Sequence, residues 1–142
     1  MNYYILSPEV AGGLGANTII DRSCGPFVVT KLHYHFDGWL GDSLLEAVAT
    51  FIVTDSMRVQ LQSSNATGVA YDVVEISKSE EYDVLFPECN LPRFVWLKIT
   101  GEAGVDDFGM SLSHRLVVSE RILGILQQGR LHYCDIENYK KV

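Results

Sequence analysis

The chain has 142 residues, 47% of apolar and 20% of charged types, which fits one soluble globular domain and excludes a disordered chain. Eighteen Asp and Glu against eleven Lys and Arg leave a net charge of −7. Such a surface repels a phosphate backbone, so no nucleic-acid binding is expected, while a basic protein partner is favoured.

In chain order, residues 2–6 (Asn-Tyr-Tyr-Ile-Leu) read as an opening strand stopped by Pro8. Nothing there resembles the basic, then apolar, start of a signal peptide. The glycines of 11–17 indicate a loop, and the β-branched and aromatic run 27–36 indicates a strand. Asp37-Gly38 and Gly41-Asp42 then punctuate the chain, and Asp42 is placed to cap a short helix carrying Leu44, Leu45 and Val48. The apolar run 44–53 contains Glu46 and is too short to span a bilayer.

Two segments resemble each other. Residues 51–57 match 116–122 at an offset of 65. Each is an apolar strand ending in a hydroxyl residue (Thr54, Ser119) followed by an acid (Asp55, Glu120), the pattern that caps a helix and complements its dipole. Helical spacing follows, with Met57 and Leu61 in one copy and Ile122, Ile125 and Leu126 in the other, and Gly129 as a stop. A further strand match, 69–75 with 131–137, has an offset of 62, which implies a second copy three residues shorter in its turn. Between the copies, Ser77-Lys78-Ser79-Glu80 has capping-box spacing, and Tyr82, Leu85 and Phe86 line one helical face ended by Pro87. Residues 93–100 form a strong strand and 101–109 an acidic loop. The expected architecture is a single α+β domain over 1–142, with a mixed β-sheet, three or four helices and a duplicated strand–helix–strand unit.

Chemical motifs are sparse. His33, His35 and Asp37 are spaced by two and project from one face of a strand, an arrangement suited to a divalent metal if His114 or Asp106 adds a ligand. The alternative is a solvated face with Tyr34 and Phe36 buried behind it. Asp106-Asp107-Phe108-Gly109 contains the letters of the kinase magnesium motif but lacks its other parts, so it reads as an acidic turn anchored by Phe108. Gly12-Gly13-Leu14-Gly15 lacks dinucleotide-binding spacing, no GxSxG occurs, and Trp39 and Trp96 read as core or rim anchors. Cys24, Cys89 and Cys134 form no CxxC pair, which points to reduced thiols in the cytoplasm.

The acids are unevenly spread. From Tyr71 to Asn90 there are six acids and one Lys, and Glu102, Asp106 and Asp107 follow. Simple solvation explains a charge run. A compact acidic domain without a catalytic motif also has the profile of a stoichiometric binder that steers a basic partner.

Several motifs together carry a family resemblance. They are residues 3–13 (Tyr-Tyr-Ile-Leu-Ser-Pro-Glu-Val-Ala-Gly-Gly), Leu32-His33-Tyr34, residues 37–45 (Asp-Gly-Trp-Leu-Gly-Asp-Ser-Leu-Leu), Phe51-Ile52-Val53-Thr54 and Ser77-Lys78-Ser79-Glu80-Glu81. Residues 92–98 (Pro-Arg-Phe-Val-Trp-Leu-Lys), 105–109 (Val-Asp-Asp-Phe-Gly) and 116–121 (Leu-Val-Val-Ser-Glu-Arg) continue the pattern. The chain thereby resembles an uncharacterised bacterial family grouped among the immunity proteins of polymorphic toxin systems. The resemblance implies a protein that binds and blocks a toxin made by the same cell, with no catalytic residue set and no cofactor. The expected contact residues are Glu80, Glu81, Asp83 and Glu88, the loop acids Glu102, Asp106 and Asp107, and Trp39 as an aromatic anchor. The alternatives are a small metal-dependent enzyme built on His33, His35 and Asp37, and a homo-oligomer paired through strand edges.

Overall fold

The structure, a computed structural model, describes residues 2–24, 28–88 and 90–140, with Cys24 by its backbone only. The expected strand residue Phe27 and the thiols of Cys24 and Cys89 therefore lie outside the described residues. Among the described residues, three α-helices and thirteen strands form an α+β fold. The strands are β1 (Tyr3–Ser7), β2 (Gly12–Leu14), β3 (Ile19–Ile20), β4 (Val29–Lys31), β5 (His33–Phe36), β6 (Leu44–Ala47), β7 (Thr50–Thr54), β8 (Val69–Asp72), β9 (Glu75–Lys78), β10 (Phe94–Ile99), β11 (Phe108–Met110), β12 (Leu116–Ser119) and β13 (Asp135–Tyr139). The helices are α1 (Asp55–Ser63), α2 (Glu80–Leu85) and α3 (Glu120–Gln128).

The duplication is real and extends further than the sequence match. One sheet has the order β6-β7-β10-β8 and another β11-β12-β1-β13. In each, a hairpin strand leads into the strand before a helix. The strand after the helix returns parallel to it, and one antiparallel strand lies between the two. Register aligns the copies. Ser119 stands 65 residues after Thr54, Val117 65 after Ile52, and Glu137 65 after Asp72, paired through Tyr3 and Phe94 or Ile5 and Trp96. The offset of 62 for the last strand is thus corrected to 65. The apolar-aromatic likeness of 69–75 to 131–137 lies out of structural register, and no residues are missing from the turn.

Local chemistry repeats as well. Thr54 Oγ accepts the Met57 N–H, and Ser119 Oγ accepts the Ile122 N–H, so both helices carry the expected caps. Asp55 N–H donates to the Arg93 carbonyl and Glu120 N–H to that of Asn2. The core between the copies is built from equivalent pairs, namely Leu97 with Leu6, Leu44 with Phe108, Phe51 with Leu116, Val53 with Val118, Met57 with Ile122 and Leu61 with Leu126. Single parallel bridges then interlock the copies. The chain leaving β1 meets β6 at Glu9 and Leu45, and the chain leaving β10 meets β11 at Glu102 and Met110.

The inserted segments cover the back of the first copy's sheet. β5 pairs in parallel with β9 and antiparallel with β2. Tyr34, Phe36 and Tyr82 join Leu45, Ile52, Phe94 and Trp96 in a second core. The sheet is therefore buried on both faces, which explains two departures from expectation. Leu44 and Leu45 are both fully buried, one in each core, on a strand and not on a helix. Asp42 caps no helix. Its carboxylate is buried and accepts the N–H groups of His132 and Tyr133, at 2.8 and 2.7 Å. The glycine loop is also partly a strand, because a Cβ on Gly12 would enter the His35 carbonyl, so only glycine permits that approach. Helix α2 starts two residues later than the capping-box spacing implies. Ser79, not Ser77, accepts the Tyr82 N–H.

Candidate protein-interaction surface

The segment after Pro8, the 37–42 loop and the end of α2 meet around a concavity of about 370 Å³, lined by Val10, Trp39, Leu40 and Phe86 among others. Glu9 organises it. Its buried carboxylate accepts the Leu40 N–H at 2.7 Å and the Asp42 N–H at 3.3 Å, and so folds the loop back onto the chain leaving β1. Burial pushes the Glu9 carboxyl above its ordinary value, although these two N–H donors oppose the shift. Asp37 and Gly38 N–H groups both donate to the Ala11 carbonyl. A Cβ on Gly38 would stand 3.0 Å from the Phe86 ring, so glycine lets α2 close over the loop.

Trp39 is half-buried here. Its ring meets Phe94 edge-on at 5.8 Å between centroids, and its indole N–H donates to the Asp42 carbonyl at 3.0 Å. The anchor is thus held from behind with part of its face in solvent. Val10 and Leu40 beside it are 66% and 49% exposed. On α2, Tyr82 is buried in the second core, while Glu80, Glu81 and Asp83 are exposed and Glu88 follows, also exposed. Leu85, expected on the buried face with Tyr82 and Phe86, is 67% exposed among these acids, and Val84 is 77% exposed. Exposed aliphatic side chains and carboxylates on one short helix have the composition of an interface core with a charged rim. Asp83 makes only a long ion pair with Lys78, at 3.7 Å between exposed groups.

The second set of expected contact residues is not part of this surface. The 101–107 loop is anchored in the other core through Phe108, and Tyr3 donates its hydroxyl to the Val105 carbonyl. Asp106 turns inward to accept the Glu102 N–H at 2.7 Å, while Glu102 is exposed. Asp107 is corrected outright. It is 92% buried by its 8% exposure, and it joins the two copies. Its oxygens accept the Thr67 N–H at 3.0 Å, the Ser119 hydroxyl at 2.8 Å and the Arg121 guanidinium at 3.1 and 2.7 Å. Burial raises this carboxyl, but the Arg121, Thr67 and Ser119 donors outweigh it and hold the value below the ordinary range. A residue so saturated is a structural joint and has nothing left for a partner.

The histidines do project from one face of β5, with Tyr34 and Phe36 buried behind. They converge on Ser77 and not with Asp37. His33 Nε2 lies 2.7 Å and His35 Nδ1 2.6 Å from Ser77 Oγ. His33 is itself buried, so the face is not simply solvated. Among the described residues no group of three or more His, Cys, Asp or Glu is placed to hold a metal ion. Cys134 is a half-buried free thiol, pushed up to about 12 by burial. No helix among the described residues is long and apolar enough to cross a membrane.

Glu9, Val10, Leu40 and Phe86 were read in the sequence as motif or helix residues and not as contact residues. The available signal was an acid directly between a strand-ending proline and an apolar residue, Pro8-Glu9-Val10. No protein-family profile and no curated protein sequence matches the chain.

Proposed function

We propose that this chain is a stoichiometric protein-binding module of the immunity type, which neutralises a basic toxin made by its own cell in the cytoplasm. The observation that supports this most is that exposed Val10 and Leu40 and half-buried Trp39 meet around one concavity, with exposed Leu85 and the exposed carboxylates of Glu80 and Glu81 carried on α2, the helix whose C-cap residue Phe86 lines it. The family resemblance and the net charge of −7 point the same way. The mechanism is occlusion: the acidic surface steers the toxin in, the apolar anchors exclude water at the centre, and the toxin's working groove is covered. An interface of roughly 1,200–2,000 Å² of total buried area suffices. The reading involves no cofactor and no substrate turnover.

Co-expression with each basic protein encoded beside this gene, followed by pull-down, tests the proposal. Growth rescue together with a one-to-one complex supports it. Absence of both, with the chain folded and present, refutes it.

A further inference from the structure

We infer that His33 is an acid-operated latch: protonation of its Nδ1 trades the 15–18 turn for the Glu75 carboxylate and frees that turn from the body of the fold. The latch does not rest on the partner surface above.

The His33 ring is buried, and its surroundings fix where its proton sits. The Asn17 N–H donates to His33 Nδ1 at 3.1 Å, which makes that nitrogen an acceptor and places the ring's proton on Nε2. Nε2 lies 2.7 Å from Ser77 Oγ, and Ser77 Oγ lies 2.6 Å from His35 Nδ1. One chain of bonds satisfies all three groups: His33 donates to Ser77, and Ser77 donates to His35. Both imidazoles are neutral in this arrangement. The turn is fastened to the same residue by its backbone. Gly15 N–H donates to the His33 carbonyl at 2.7 Å, and Thr18 Oγ donates to that carbonyl and accepts the His33 N–H, each at 3.0 Å. Gly15 lies flat against the ring, where a Cβ would overlap it. Beyond the turn, β3 pairs only with β4 among the described residues.

A proton on Nδ1 turns this acceptor into a donor. Two N–H groups then face each other, and the Asn17 bond is lost. The new donor has an anion within reach, because Glu75 Oε2 stands 3.7 Å from Nδ1. That oxygen accepts Asn17 Nδ2 at 2.7 Å, so the imidazolium competes for the turn's side-chain tie as well. The Asn17 amide, and after it Lys31 at 3.3 Å, hold the Glu75 carboxyl below its ordinary value, so it is charged wherever a histidine titrates. Its side chain is 38% exposed and has room to swing. The other charged or titratable groups near the ring are Lys31 on β4, paired with Glu75, and His35 on the same strand, with ring centroids 6.3 Å apart. The turn, Gly15-Ala16-Asn17-Thr18, contains no titratable side chain.

Nuclear magnetic resonance of the full chain tests the latch across the histidine range, from about pH 8 to about pH 5. Long-range proton–nitrogen spectra are expected to show His33 as the Nε2–H form at the upper end. As the ring protonates, the protection of the Gly15, Asn17 and Thr18 amides, corrected for intrinsic exchange, should fall at least roughly tenfold with the same midpoint, while β1 and β12 keep theirs. His33→Asn retains an acceptor for the Asn17 N–H but cannot titrate, so its turn should stay protected throughout. Glu75→Gln keeps the bond to Asn17 without the charge and should open only at a lower pH. If circular dichroism shows His33→Asn unfolded, wild type and Glu75→Gln carry the test. A His33 ring that stays neutral throughout, protection that holds or that follows the His35 titration, or Glu75→Gln opening at the wild-type pH overturns the inference.

Discussion

Replacing Asp107 by alanine removes the joint between the two copies, and its cost follows from what is stranded. Asp107→Ala leaves the Thr67 N–H and the Ser119 hydroxyl without their acceptor. The Ser119 hydroxyl is buried, so orphaning it costs about 1–3 kcal/mol, whereas Thr67 is an exposed residue and its N–H adds less. The Arg121 side chain is 45% exposed and regains water, so its charge adds little. The loss is therefore about 2–3 kcal/mol. For a domain of this size that lowers the melting temperature by roughly 10 °C. Guanidinium unfolding followed by tryptophan fluorescence measures it directly. The effect must also depend on pH. A carboxyl held below its ordinary value of 3.8 contributes fully above that value, and the contribution is lost as pH falls through the lowered one. The stability gap between wild type and Asp107→Ala should therefore narrow in acid. A gap below about 1 kcal/mol at neutral pH, or one that widens in acid, refutes the reasoning.

Three further predictions follow from other parts of the fold. The β6–β7 turn places Val48 and Ala49 at φ values of +46° and +57°, where Asn-Gly fits best. The double change Val48→Asn with Ala49→Gly should raise stability by about 1–2 kcal/mol in urea melts. Tyr34→Phe removes a hydroxyl that donates to the Glu46 carbonyl and accepts the Ala11 N–H, each at 3.0 Å. It should cost about 1–3 kcal/mol, read from the same melts. Glu9→Ala frees the Leu40 and Asp42 N–H groups, so amide exchange at residues 37–42 should accelerate at least tenfold, the equivalent of about 1.4 kcal/mol in local opening.

Much of the frame was legible because it is written in local chemistry. A hydroxyl residue before an acid after an apolar strand marks α1 and α3 without tertiary information. The last repeated strand was misaligned because its match rested on Tyr71 and Tyr133, whereas its register is set by Leu97 and Leu6 across the sheet. Leu44 and Leu45 were read as helical because adjacent buried residues look helical unless both faces of a strand are covered. The site was half legible. Acidic α2 and Trp39 could be named, but Phe86 and Glu9, which bring them together, act only through contacts distant in sequence. Asp107 was misread for the same reason: its partners Thr67 and Arg121 lie far along the chain, and nothing local distinguishes it from the half-buried Asp106 beside it.

Hydrogen exchange on the chain with and without the neighbouring toxin tests the central claim most directly. The account predicts slowed exchange in α2 and in residues 37–42, with little change over 101–107. Protection confined to the 101–107 loop or to β13, with α2 exchanging as in the free chain, would contradict it.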